Sequence, residues 1–143
     1  MVTPTAEQRH TGAEQVLWDL SVFYADMDDP RIEADMAQAH TLADAFAAEY
    51  RGRVAALDAE EMRDAIEKQE TIEDLRYRVY SFASLNYATD TANPKIGALF
   101  QKVQEFIAAV GQKIVFFELE WNNLDDAAAR HIYESPLLEK FRF

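Results

Sequence analysis

Apolar residues along the chain recur in steps of three and four, the spacing of one face of an α-helix. The first run is Ile32, Met36, Ala39, Ala43, Phe46 and Tyr50. Asp28-Asp29-Pro30 stands ahead of it. Proline suits the first helical position, where its missing N–H would lack a partner anyway, and Asp29 is placed to cap. Gly52 closes the run, as a residue in the left-handed conformation does at a helix C-terminus.

Asp58-Ala59-Glu60-Glu61 has the form of a capping box, an acid answered three residues later by a glutamate. A second stripe follows at Met62, Ile66, Gln69, Ile72, Leu75, Val79, Phe82 and Asn86. The opposite face is charged (Glu60, Asp64, Glu67, Lys68, Glu70, Glu73, Asp74), which predicts a helix with one wet side.

The polar break from Thr89 to Pro94 repeats the cap-and-proline device. Behind it runs the longest stripe: Ile96, Phe100, Val103, Ile107, Val110, Ile114, Phe117, Trp121 and Leu124. Phe106, Phe116 and Leu119 widen it and predict burial on more than one side. Gly97 and Gly111 lie within this helix at a cost of about 1 kcal/mol each against alanine. Close approach of another helix is one reason to accept that cost, though not the only one. A short alanine-rich helix near 125–134 comes next, and Ser135-Pro136 opens a last one. Short connections favour antiparallel neighbours. The expected fold is all-α, an antiparallel up-down-up bundle of three long helices plus one or two short ones, without strands. Residues 1–15 are polar and patternless and are expected to be a flexible amino terminus; 16–143 form a single helical domain.

Charge and composition narrow the partners. The formal net charge is −12, which argues against nucleic acid and against an anionic membrane surface. The chain has no cysteine, so disulfides and thiolate metal sites are excluded. No apolar run approaches the roughly 18 residues that cross a bilayer. The start MVTPTAEQRHTGAEQ lacks the basic and apolar regions of a signal peptide, so a cytoplasmic location is expected.

Candidate chemistry is sparse. His10, His40 and His131 are followed by TGAE, TLAD and IYES, and none belongs to a His-Glu-x-x-His motif. His40 and Asp44 share a helix face but supply only two ligands. Glu7 and His10 form a single Glu-x-x-His, where a di-iron bundle needs two such pairs and two further carboxylates. Glu118 and Glu120 are two apart and diverge around a helix. The aromatic residues Tyr77, Tyr80, Tyr87, Phe116, Phe117 and Trp121 suit a core better than a pocket. No catalytic, cofactor-binding or metal-binding residue is assigned, and the chain alone is expected to be inactive.

WDLSVFYADMDDPRIEADMAQAHTLADAFAAEYRG (18–52), SFASLNYATDTANPKIGALFQKVQEF (81–106), FFELEWNNLDD (116–126) and SPLLEKFRF (135–143) occur in that order. This series resembles the amino-terminal part of the oligoendopeptidase F family of zinc metallopeptidases, relatives of thimet oligopeptidase. The resemblance implies a non-catalytic domain that helps wall a channel for short peptides, truncated at its C-terminus inside a newly started helix. Zinc would belong only to the missing catalytic part, which would be the partner of this domain. Trp18, Phe23 and Tyr24 are expected to anchor the leading segment against the bundle or that catalytic part. The alternatives are a stand-alone interaction or self-association module, and a small-molecule binder with a void of several hundred Å³ inside the bundle.

Overall fold

Each helix begins where a short polar side chain can take up amide hydrogens that the first turn leaves without partners. In the computed structural model, which describes residues 19–142, α1 (Pro30–Tyr50) starts at Asp29, whose Oδ1 accepts from the Arg31 amide at 2.9 Å. The helix α2 (Ala59–Thr89) starts at the predicted capping box. There Asp58 accepts from the Glu60 and Glu61 amides, and the Glu61 carboxylate accepts from the Asp58 amide at 3.1 Å. Asn93 caps α3 (Pro94–Asn122), and Asp125 caps α4 (Asp126–Tyr133). No strand occurs among the described residues.

Gly52 takes φ +77°, so the end of α1 is set as the sequence predicts. Two short 3-10 turns complete the chain, Val54–Ala56 and Pro136–Phe141. The second stands where Ser135-Pro136 predicts a further helix. The cap forms, with Ser135 Oγ accepting from the Leu137 amide, but the segment winds as 3-10. A segment of six residues gains little from the α-helical ladder, whose first turn leaves its amides without partners.

Contacts between the long helices fix their directions. Asp35 meets Arg78 and Glu49 meets Lys68, so α1 and α2 are antiparallel. The Arg76 guanidinium donates to the Ile107 carbonyl and Tyr87 stacks on Phe100, so α2 and α3 are antiparallel too. The helices α1 and α3 therefore run parallel. They are tied by Glu33–Lys102 and by Asp44–Lys113, the latter at 2.7 Å. The bundle is up-down-up.

All six predicted apolar positions of α1 are buried. They face Met62, Ile72, Leu75, Val79 and Phe82 of α2 and Val103, Phe106, Val110, Ile114 and Phe117 of α3 within one core. Phe46 is its aromatic centre, with Tyr50, Phe116 and Phe117 at ring separations of 5.0, 5.7 and 5.3 Å. Burying such a side chain is worth about 1.5–3 kcal/mol. Ala39, Ala43, Ala65 and Ala83 are also buried, and their small size lets the helices close together.

Three expectations about α3 are corrected. Leu119 does not widen the buried stripe, being 57% exposed. A side chain added at Gly97 would meet nothing within 4 Å, so no helix approaches there. At Gly111 the neighbour is the Arg76 side chain, 3.2 Å from where a Cβ would stand, and not a helix backbone.

Candidate functional site

The leading segment is held at one end of the bundle by Tyr24, the deeper of its two described aromatic residues. Its ring is 1% exposed and meets Phe82 edge-on at 5.2 Å. The hydroxyl donates to Asp35 Oδ2 at 2.7 Å. Burial first, and then that hydrogen bond and the Asp35 charge, push the phenol above its ordinary pKa. Phe23 is half-buried against the same core. Asp29 closes the segment from below, accepting from the Ala25 amide at 2.8 Å and from the Arg31 guanidinium. The Arg31 side-chain hydrogen bonds, followed by the Ala25 and Arg31 amides, hold this carboxyl well below the usual carboxylate range. Two of the three expected anchors thus pack on the bundle. Trp18 lies outside the described residues, as do residues 1–15 with Glu7 and His10, and Phe143.

At the other end the bundle opens. A cleft of about 360 Å³ lies between α2, α3, α4 and the last 3-10 turn. Met62 and Ile66 of α2 form one wall, and Phe117 and Trp121 of α3 another. Tyr133, Leu138 and Phe141 close the third side, and Gln69 and Glu118 stand at its polar edge. The sequence favoured core for all six aromatic residues it singled out. Phe116 is core, Phe117 is core and also faces the cleft, and Trp121 lines it half-buried. Tyr77 and Tyr80 are exposed. The cleft lies at the surface and not inside the bundle, where a small-molecule binder was expected to carry its void.

A second hollow of about 350 Å³ continues from the first along the outer α2–α3 seam, sharing Gln69 and Glu118 with it. Arg76 lies across this seam, its side chain 16% exposed. It donates to Glu73 at 2.5 Å and to the Ile107 carbonyl at 3.1 Å, while its buried Nε has no partner among the described residues. Gly111 provides the room. Beyond Arg76, Tyr80, Phe100 and Tyr87 cluster on the same two helices.

The histidine pairing considered from the sequence is divided between neighbours. His40 meets the Phe106 ring edge-on at 5.5 Å, while Asp44 takes Lys113. Glu118 and Glu120 diverge, as their spacing requires. Glu120 has a role that no local pattern announces: its carboxylate accepts from the Gly52 amide at 2.7 Å and the Val54 amide at 3.3 Å. It caps the turn that leaves α1 from 66 to 68 residues away. Among the described residues no group of three or more His, Asp or Glu side chains is placed to hold a metal, and no helix is long and apolar enough to cross a membrane.

No family model, curated protein or solved structure matches this chain.

Proposed function

We propose that the chain is a non-catalytic helical domain of the kind found in the amino-terminal part of oligoendopeptidase F-type zinc peptidases. In this reading it helps shape the channel through which short peptides reach a catalytic part that this sequence does not contain. The zinc and the general base belong to that part, and the setting is the cytoplasm. One observation carries the reading: segments that bear the resemblance, far apart in sequence, meet one another in the fold. Tyr24 of the first packs on Phe82 of the second, and Asp28 pairs with Lys95. Glu120 of the third segment caps the Gly52 turn that ends the first. Residues that support each other across the fold form a unit, and a unit of this kind is what a shared domain requires.

The test is reconstitution. The chain is mixed with a separately produced catalytic portion of an oligoendopeptidase F-type peptidase that carries His-Glu-x-x-His. Sedimentation then reads whether a complex forms. The expected result is a one-to-one complex in which hydrolysis follows the catalytic portion. Absence of a complex at about 50 µM, where an interface of micromolar affinity is well populated, refutes the reading.

The exposed Val115 and Leu119 of α3 favour a second reading, a self-associating interaction module. The net charge of −12 on each copy opposes it. A purified chain that stays monomeric at about 100 µM retires that alternative.

A further inference from the structure

The outer seam between α2 and α3 is the side of the bundle that α1 does not cover. It runs from the cleft at Trp121 and Phe141, past Gln69 and Glu118, to Arg76 and Gly111. From Met62 to Arg76 the groove is about 21 Å long at the rise of an α-helix, the length of a helix of about 14 residues. Its floor is apolar at one end, and Val115, 45% exposed, continues that character along the α3 side. Such a surface has the form into which an amphipathic helix lays its apolar face.

The charge around the groove selects the occupant. The charged side chains that line it are Glu73, Arg76 and Glu118, and Glu73 and Arg76 pair with each other. Glu118, at the groove's centre, has no ion-pair partner among the described residues. A second copy of the chain would bring a further net charge of −12 to this surface. A positively charged helix would bring Glu118 the partner it lacks.

We propose that the α2–α3 groove is a docking site for a basic amphipathic helix of a protein partner. The helix seats an apolar side chain between Met62, Phe117, Trp121 and Phe141 and turns lysine or arginine toward Glu118. The inference does not rest on the peptidase reading, because the groove is tested with a peptide alone.

The probe is an acetylated and amidated leucine–lysine helix of about 14 residues with its leucines on one face. Binding is read from Trp121 fluorescence in a full chain carrying Trp18→Phe. We expect saturable binding that moves Trp121 emission to shorter wavelength. Glu118→Lys and Val115→Lys, both at exposed positions, should each weaken it by about tenfold while circular dichroism stays unchanged. If Val115→Lys disturbs folding, Glu118→Lys decides. A scrambled peptide of the same composition should bind at least about tenfold less tightly.

The proposal is overturned if the scrambled peptide, or a counterpart with glutamate for lysine, binds equally well. It is also overturned if Glu118→Lys leaves affinity intact, or if no binding is seen at about 100 µM. Self-association that Val115→Lys abolishes would give the groove to a second copy and overturn it as well.

Discussion

Tyr24 allows the attachment of the leading segment to be measured in two steps. Tyr24→Phe keeps the ring against Phe82 and removes only the hydroxyl bond to Asp35. Hydrogen bonds to a charged group are worth about 1.5–3 kcal/mol. Asp35 keeps Arg78 at 3.3 Å and is partly open to water, so the loss should fall at the low end, about 1.5 kcal/mol. Tyr24→Ala also removes the buried ring, and aromatic-to-alanine changes in a core cost about 3–5 kcal/mol. For a chain of this length 1 kcal/mol moves Tm by about 3 °C. Thermal unfolding followed by circular dichroism should therefore fall by about 4 °C for the phenylalanine variant and about 10–15 °C for the alanine variant. A further signature lies in alkali. The folded state holds the phenolic proton more tightly than the unfolded chain does, because burial and Asp35 raise the pKa. The stability this contributes is intact below about pH 10 and drains away as the pH rises above it. The gap between the native chain and Tyr24→Phe should narrow there. An alanine variant that loses less than about 2 °C would refute the anchoring of the segment by Tyr24.

Gly52→Ala should cost about 1–2 kcal/mol, since φ +77° is unfavourable for a residue with a Cβ although the space is open. Gly97→Ala, in helix interior and with nothing nearby, should instead stabilise by about 0.5–1 kcal/mol; chemical denaturation of the two variants reads opposite signs. Glu120→Ala should cost about 1–2 kcal/mol by leaving the Gly52 and Val54 amides without their acceptor, and hydrogen exchange at those amides should accelerate. Asp29 has a lowered pKa in the folded state, so its contribution is present above about pH 4 and is lost as the pH falls. Asp29→Asn should therefore flatten the acid limb of the stability profile, and an unchanged limb would contradict the assignment.

Much of the fold was legible because the signals are local. A stripe such as Ile32 to Tyr50 needs only the helical period, and the Asp58 capping box lies within four residues. What escaped depends on the third dimension. Ala65 and Ala83 are as buried as the large residues beside them, yet alanine suits an outer face equally well. Leu119 reads as core by type, yet among the described residues no fourth long helix covers it, and it stands in water. Gly111 signalled a close approach, but the period could not say that a guanidinium makes it. The cleft was illegible for a related reason. Trp121 and Phe117 sit in a continuous apolar stripe, and the opening depends on how α4 and the final turn settle across its end. Glu120 was unreadable as a cap because its amide partners lie so far back along the chain.

The two links between the parallel helices, Glu33–Lys102 and Asp44–Lys113, each span 69 residues and sit eleven residues apart on both helices. Exposed pairs of this kind add little to stability singly. Their value lies in discrimination, because apolar stripes can slide past one another by a turn with modest loss. A slip of one turn would unmatch both pairs together: it sets Ala37 and Ala48 opposite the two lysines in one direction, and in the other sets His40 opposite Lys113. The pairs thus act as a vernier that fixes the longitudinal setting of α1 against α3. Reversing both charges of one pair should preserve that setting, whereas inserting one residue between Glu33 and Asp44 should destroy it.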